Sequence, residues 1–342
     1  MPSTITIKDL AKNLGISVST VSRALKNHPD ISAETCRAVQ NLAKEMNYTP
    51  NAIALSLRQK KTFLIGIVIP QIIHHFFSCV ISGIENIANK NGYNVIIFQS
   101  NEDFEREKSI CKSAINAHID GLLVSISKNT TNSEHFKEVQ QAGIPIVFFD
   151  RIIGDINSDK VIVDDFNGAI SAVEHLISIG CRRIAHLSAP QNLQIAQKRQ
   201  LGYIEALKKA GLPIDRDLIM PCDNQYDALE VTRKLMNNGN PPDGIFAVND
   251  LTAAGSMYAL RKMGYRVPQD IAVCGFTDGL VSTLTNPTLT TVEQHGDVIG
   301  SMAAEMLLSR IEDKNKNENP VTKIIKTNLV VRESTLGFVG KN

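Results

Sequence analysis

From Leu64 onward, short and almost wholly apolar runs alternate with amphipathic stretches that end in glycine. The runs expected as strands are 64–69, 95–98, 121–125, 146–149, 161–163, 183–187, 244–248 and 271–276. The helical stretches between them close at Gly92, Gly143, Gly180, Gly211 and Gly264. A strand without polar alternation is buried on both faces, as in a parallel sheet covered by helices. The alternation therefore predicts open α/β sheets. Roughly 280 residues is more than one such sheet gathers around a single core, so two subdomains are expected. The extended stretch around 150–163 is the best candidate crossover. Ligands of open α/β sheets sit outside the carboxyl ends of the strands. Residues that follow strands are thus the candidate ligand contacts: Phe76, Phe77, Ser125, Asp150, Arg151, Asn249 and Asp250.

The first sixty residues follow a different pattern. Thr6 can cap a helix, with Asp9 three residues on at the positive end of its dipole. Ile7, Leu10, Ala11 and Leu14 share one face, and Gly15 permits the left-handed exit that ends the helix. Ser17 can cap a second helix that turns Val21, Ala24 and Leu25 inward and Val18, Ser19, Ser22, Arg23 and Lys26 outward. Ser32 opens a third, with Val39, Leu42, Ala43 and Met46 on its buried side. Two short helices joined by a glycine-containing turn form a helix-turn-helix, whose second helix can enter a major groove. On periodicity alone, a partner-binding three-helix module fits as well. The segment 50–61 favours a helix of about eight residues, too short to be stable alone in water. It reads either as a linker or as a segment that orders on DNA, with Leu57 as an apolar wedge and Arg58 on a phosphate.

Charge separates the two parts. Residues 1–61 hold nine Lys or Arg against four Asp or Glu, a net +5, leaving −4 of the chain's +1 for the remainder. A basic head on an acidic body points to a polyanion partner for the head. The six cysteines are scattered without a C-x-x-C pair, so packing thiols are expected rather than zinc ligands or disulfides. His74 and His75 are adjacent and lack a second ligand pair, so no metal site is expected. No G-x-S-x-G, P-loop or G-x-G-x-x-G pattern occurs, which argues against an enzyme and against a bound cofactor. No apolar run approaches membrane length, and the N-terminus does not read as a secretory signal. The cytoplasm and no membrane partner are expected.

The stretch from Ile5 to Lys61 resembles the headpiece of the lac- and purine-repressor family of bacterial regulators. The residues that carry the likeness are Thr6–Ala11, Gly15-Ile16-Ser17, Thr20-Val21-Ser22-Arg23, Asn47–Asn51 and Ala54-x-x-Leu57. Asp120–Val124, Ile144–Val147, Phe149-Asp150-Arg151, Arg199-x-x-Gly202-Tyr203, Asn249-Asp250 and Leu289–Gln294 extend it over nearly the whole chain. The resemblance implies an all-α helix-turn-helix headpiece (1–49), a hinge helix (50–61) and a two-lobed α/β core of the periplasmic-binding-protein type (62–342), crossed by three strands. It implies one lobe from about 62–160 and 293–323 and the other from about 161–292 and 324–340. Its expected partners are a palindromic double-stranded operator, a small-molecule effector and a second copy of the chain.

Residue roles follow from the same resemblance. Val18, Ser19 and Arg23 are expected to read bases, and Thr6, Ser17, Ser22, Ser32 and Thr35 to approach phosphates. Asn51, Ala54, Leu57 and Arg58 are expected to form the hinge, with Leu57 in the minor groove. Phe76, Phe77, Ser125, Asp150, Arg199, Asn249 and Asp278 are expected at the effector. Each cleft residue also has a plainer role: Phe76 and Phe77 as core, Asp150 paired with Arg151, Arg199 bridging the lobes, Asn249 capping a helix. Two departures stand out. Thr277 occupies the position where many members carry an Asp, with Asp278 next, and Asn224 stands where an aromatic is common, with Tyr226 nearby. A sugar is the leading effector class and a nucleobase or nucleoside the alternative. A stand-alone solute-binding protein is a third reading, disfavoured by the headpiece.

Overall fold

The computed structural model describes residues 5–48, 61–312 and 319–338. The chain divides into two compact units, Met1–Phe63 and Leu64–Asn342. In the first, α1 (Ile7–Leu14), α2 (Val18–Ala24) and α3 (Ala33–Glu45) surround one small core. The Asp9 carboxylate accepts both the Thr6 amide (2.8 Å) and the Thr6 hydroxyl (2.7 Å), which fixes the start of α1. Gly15 takes the left-handed conformation at φ 65°, so α1 ends there and α2 follows at once. Ser17 Oγ accepts the Thr20 amide at 3.1 Å, and Ser32 Oγ accepts the Thr35 amide at 3.2 Å, capping α2 and α3. Leu10, Val21, Ala24 and Val39 are fully buried. Burial of each of the larger three contributes about 1.5–3 kcal/mol. The expected inward residues Leu42 and Met46 pack at the rim of this core.

The second unit opens with β1 (Leu64–Ile69), α4 (His75–Lys90), β2 (Asn94–Gln99), α5 (Phe104–Asn116) and β3 (Gly121–Val124). It continues with α6 (Glu134–Gln141), β4 (Ile146–Phe149), β5 (Asp159–Val163), α7 (Asp165–Ser178), β6 (Ile184–Ser188) and α8 (Gln194–Lys209). Then come β7 (Ile219–Pro221), α9 (Gln225–Met236), β8 (Gly244–Ala247), α10 (Asp250–Lys262) and β9 (Ala272–Thr277). The last elements are α11 (Leu280–Leu284), β10 (Thr290–Glu293), α12 (Gly296–Glu312), β11 (Thr322–Ile325) and β12 (Asn328–Val330).

Among the described residues, the strands form two six-stranded sheets, ordered β11-β5-β4-β3-β1-β2 and β12-β10-β9-β8-β6-β7. All described pairings are parallel except β10 with β12. The chain passes between the sheets after Val163, after Glu293, and between Ile325 and Asn328. Central strands β3, β4 and β8 are buried along their whole length, as the unbroken apolar runs require. Each sheet has its own core: Val68, Leu122, Phe136 and Phe148 in the first lobe, and Leu187, Leu235, Ile245 and Val273 in the second.

Four strands lack the apolar signal. Three of them, β7, β11 and β12, are edge strands with half-exposed or exposed residues. The fourth, β10, is interior yet begins Thr290-Thr291, both fully buried. Their hydroxyls are satisfied, Thr290 donating to the Arg332 carbonyl (2.9 Å) and Thr291 to the Asp250 carboxylate (2.5 Å). Polar residues occupy a buried strand here because each hydroxyl finds a partner. Among the described residues, no helix is long and apolar enough to cross a membrane.

Candidate functional site

Each unit holds one candidate functional surface. In the first unit, α2 presents Val18 (41% exposed), Ser19 and Arg23 on its outer side, while Ser22 is half-buried. The Arg23 guanidinium lies 3.7 Å from Asp30, both well exposed. An exposed pair of this kind contributes little, so Arg23 is released to another acceptor at small cost. Ser17 and Ser32 sit at the N-termini of α2 and α3, where free amides and the helix dipole favour an anion such as phosphate. Thr35 is half-buried in the first turn of α3, and its hydroxyl lies 2.8 Å from that of Ser32. Thr6 is exposed and engaged with Asp9. The hinge residues Asn51, Ala54, Leu57 and Arg58 lie outside the described residues.

In the second unit, a cleft of about 750 Å³ opens where both sheets end. Residues at or just beyond the carboxyl ends of nine strands line it: Gln71, Glu102, Lys128, Asp150 and Arg151 from one sheet, and Ala189, Asp223, Asn249, Thr277 and Gln294 from the other. This is the position that parallel-sheet topology reserves for a ligand. Phe76 and Phe77, in the first turn of α4, contribute an aromatic wall, with rings 5.3 Å apart edge to face. Both are largely buried, so they serve the core as well as the cleft.

Asp150 is the least satisfied charged group at the cleft. It follows β4 in left-handed backbone (φ 58°) and is 5% exposed. Among the described residues, its carboxylate receives one hydrogen bond, from the Ser125 hydroxyl at 3.4 Å. Burial raises its pKa, opposed by the Arg151 and Arg199 charges. Ser125 itself is fully buried and does not line the cleft; its role is to meet Asp150. Arg151 pairs with Glu102 (2.8 Å) rather than with Asp150, while its Nε is buried without a partner.

Arg199, on α8, also lines the cleft. Its Nε and Nη2 both meet Asp165 Oδ1 at 2.8 Å, Nη1 donates to the Val248 carbonyl, and the guanidinium lies 3.7 Å above the Phe276 ring. Burial pushes the Asp165 carboxyl up to about 6, although Arg199 pulls it down. Asn249 does two things: Oδ1 caps α10 by accepting the Thr252 amide (2.8 Å), and Nδ2 donates to the Asp223 carbonyl (2.8 Å).

Asp278 is not among the cleft-lining residues. Its carboxylate is held by Arg332 (2.7 Å) and by the Ser282 hydroxyl (2.9 Å). Thr277 faces the cleft in its place, and both carry positive φ, 142° and 58°. Such backbone is uncommon for a β-branched residue and gathers at functional sites. Asn224 lines the cleft and caps α9 through the Tyr226 and Asp227 amides, while Tyr226 is 74% exposed.

Lys128, Glu102, Asp223 and Gln294 line the cleft without a ligand role expected from the sequence. Each lies at or shortly after a strand end, and that position was the available signal. Lys128 Nζ meets Asp223 at 3.1 Å, and Asn192 donates to the Lys128 carbonyl (2.5 Å), so these contacts tie one lobe to the other across the cleft. Among the described residues, no group of three or more metal-binding side chains converges.

Comparison with known proteins matches parts of both units. Residues 6–51 match the model of bacterial regulatory proteins, lacI family, and residues 173–335 match a periplasmic binding protein-like domain. The chain is 35% identical to the ribose operon repressor of Halalkalibacterium halodurans over 97% of each chain. It superimposes on the lac repressor dimer bound to operator and the anti-inducer ONPF with a TM-score of 0.86, at 25% identity over 98% of this chain and 100% of that one. It is also similar to the complex of the transcriptional regulator CelR with cellobiose (TM-score 0.74, 27% identity, 96% and 99% covered).

Proposed function

The chain belongs to the lacI family of bacterial regulatory proteins, and from that premise we propose that a sugar bound in its cleft sets how tightly it holds a palindromic operator. The chain is a DNA-binding transcription regulator. Relatives of similar length are repressors, which favours repression as the output. In this reading two copies place two α2 helices in successive major grooves, so the operator repeats the symmetry of the dimer. Val18, Ser19 and Arg23 read base edges, while Thr6, Ser17, Ser22, Ser32 and Thr35 approach phosphates. Asn51, Ala54, Leu57 and Arg58 are assigned to the hinge by family likeness alone.

The observation that carries the sugar reading is Asp150: a buried carboxylate at the cleft, beside an aromatic wall, with one long hydrogen bond from the protein. A buried carboxylate left short of donors gains most from a ligand that brings hydroxyl groups. The Phe76 and Phe77 rings supply the apolar surface on which a sugar ring packs. The relatives that bind or are named for sugars, CelR with cellobiose and the ribose operon repressor, agree with this class.

The test is a thermal-shift screen of sugars, since a ligand that binds only the folded chain raises its melting temperature by mass action. Asp150→Ala is expected to weaken the best sugar by about 30- to 100-fold, the size of a lost charge-assisted hydrogen-bond set. Titration calorimetry of both proteins reads this out. An Asp150→Ala chain that binds the sugar as tightly as the parent overturns the assignment.

A further inference from the structure

Resting on the sugar reading above, we propose that the effector is an uncharged sugar and that the cleft rejects phosphorylated and carboxylated ones. Among the described residues, three Lys or Arg side chains line the cleft, and each already faces a carboxylate. Lys128 meets Asp223 at 3.1 Å, Arg151 meets Glu102 at 2.8 Å, and Arg199 meets Asp165 at 2.8 Å. Arg199 Nη1 also donates to the Val248 carbonyl, and Arg151 Nε is buried. An anionic ligand that recruited one of these cations would have to share it with a carboxylate already in contact, so one positive charge would face two negative ones.

The lining is acidic on balance. Glu102, Asp150, Asp223 and Asp250 all line the cleft, against three cations. Asp250 is held by the Gly279 amide (2.7 Å) and the Thr291 hydroxyl, so Asp150 is the acidic group open to a ligand. His74 adds no cation: burial, then the Arg151 charge, lowers its pKa and favours the neutral ring. His75 sets its Nε2 3.4 Å from Cys79 Sγ. Other polar groups of the walls are uncharged, among them Asn224, Asn249, Gln294 and Thr277. Phosphate-binding sites place unpaired Lys or Arg around the anion, whereas the cleft's cations each meet a carboxylate. A negative group held about 6 Å from Asp150, at the effective dielectric of a partly buried site, loses on the order of a hundredfold in affinity.

The experiment is titration calorimetry on the full chain with matched pairs: D-ribose with ribose 5-phosphate, and D-glucose with glucose 6-phosphate and with glucuronate. Cellobiose and other neutral sugars are screened beside them by thermal shift. The expected result is binding of a neutral sugar, with its charged counterpart at least about a hundredfold weaker. Asp223→Asn, which frees Lys128, is expected to restore about tenfold of the counterpart's affinity. A phosphorylated or acidic sugar that binds as tightly as its neutral partner overturns the inference and leaves the sugar reading standing. If no sugar of either kind binds, the sugar reading falls and takes this inference with it. No gain of charged-ligand binding in Asp223→Asn contradicts the claim that Lys128 is neutralised in place.

Discussion

Removing residues 1–61 is expected to abolish specific operator binding, by at least about a thousandfold, and to leave sugar binding within about threefold of the parent chain. The expectation follows from how the two units are built. The first has its own core around Leu10, Val21 and Val39, and it carries the basic excess and the exposed face of α2. The second keeps both sheets, both hydrophobic cores and every cleft-lining residue after the cut. Specific complexes exceed non-specific ones by about 10³–10⁷, and both terms depend on the residues removed. The operator is obtained by selecting bound duplexes from a randomised pool with the full chain, and fluorescence anisotropy then compares the two proteins. A truncated chain that still binds the selected duplex tightly would break the division of labour between the units.

Arg199→Leu is expected to cost about 3–5 kcal/mol of stability at pH 8, the cost of breaking a buried pair on one side. Arg199 compensates Asp165, and both are nearly inaccessible to water. With the parent chain, burial already holds Asp165 at about 6 despite the guanidinium. Deleting Arg199 removes the two influences that lower that value, so the folded-state pKa of the variant lies higher still. The sign follows from proton linkage. A buried acid with a raised folded pKa binds its proton in the native state before it does in the unfolded chain. Stability therefore falls as pH rises through the folded pKa. The parent has completed that loss by pH 7, whereas the variant keeps losing stability above it. The deficit of Arg199→Leu should thus be larger at pH 8 than at pH 5.5, measured as the shift in urea midpoint at each pH. A small deficit independent of pH would mean that the pair does not hold Asp165 in the fold.

Much of the architecture is legible in the sequence because its signals are local. The caps at Thr6, Ser17 and Ser32 and the left-handed turn at Gly15 lie within a few residues of the helices they bound. The interior strands announce themselves because a surface buried on both sides tolerates little but apolar side chains. Strand ends then point to Asp150, Asn249 and the aromatic pair Phe76 and Phe77 without any knowledge of the tertiary fold. Pairings are another matter. Arg151 sits next to Asp150 in the chain but pairs with Glu102, and Arg199 pairs with Asp165 on another helix. Asp278 turns to Arg332, 54 positions on by residue number, which removes it from the cleft. These choices are made by strand register and helix packing between distant segments, which leave no trace in local spacing. The buried threonines of β10 escaped for a related reason: their partners, Asp250 and the Arg332 carbonyl, arrive from elsewhere.

The central claim is that the cleft and the DNA-reading surface are coupled. It is tested most directly by titrating the full chain onto its selected operator with and without a saturating concentration of the neutral sugar found in the thermal-shift screen. Coupling between two sites shifts affinity by a factor of roughly 5–150, and the operator must shift sugar affinity by the same factor. The account predicts an operator affinity changed by about tenfold or more, with Asp150→Ala abolishing the change. A sugar that binds the cleft and leaves operator affinity untouched would contradict it.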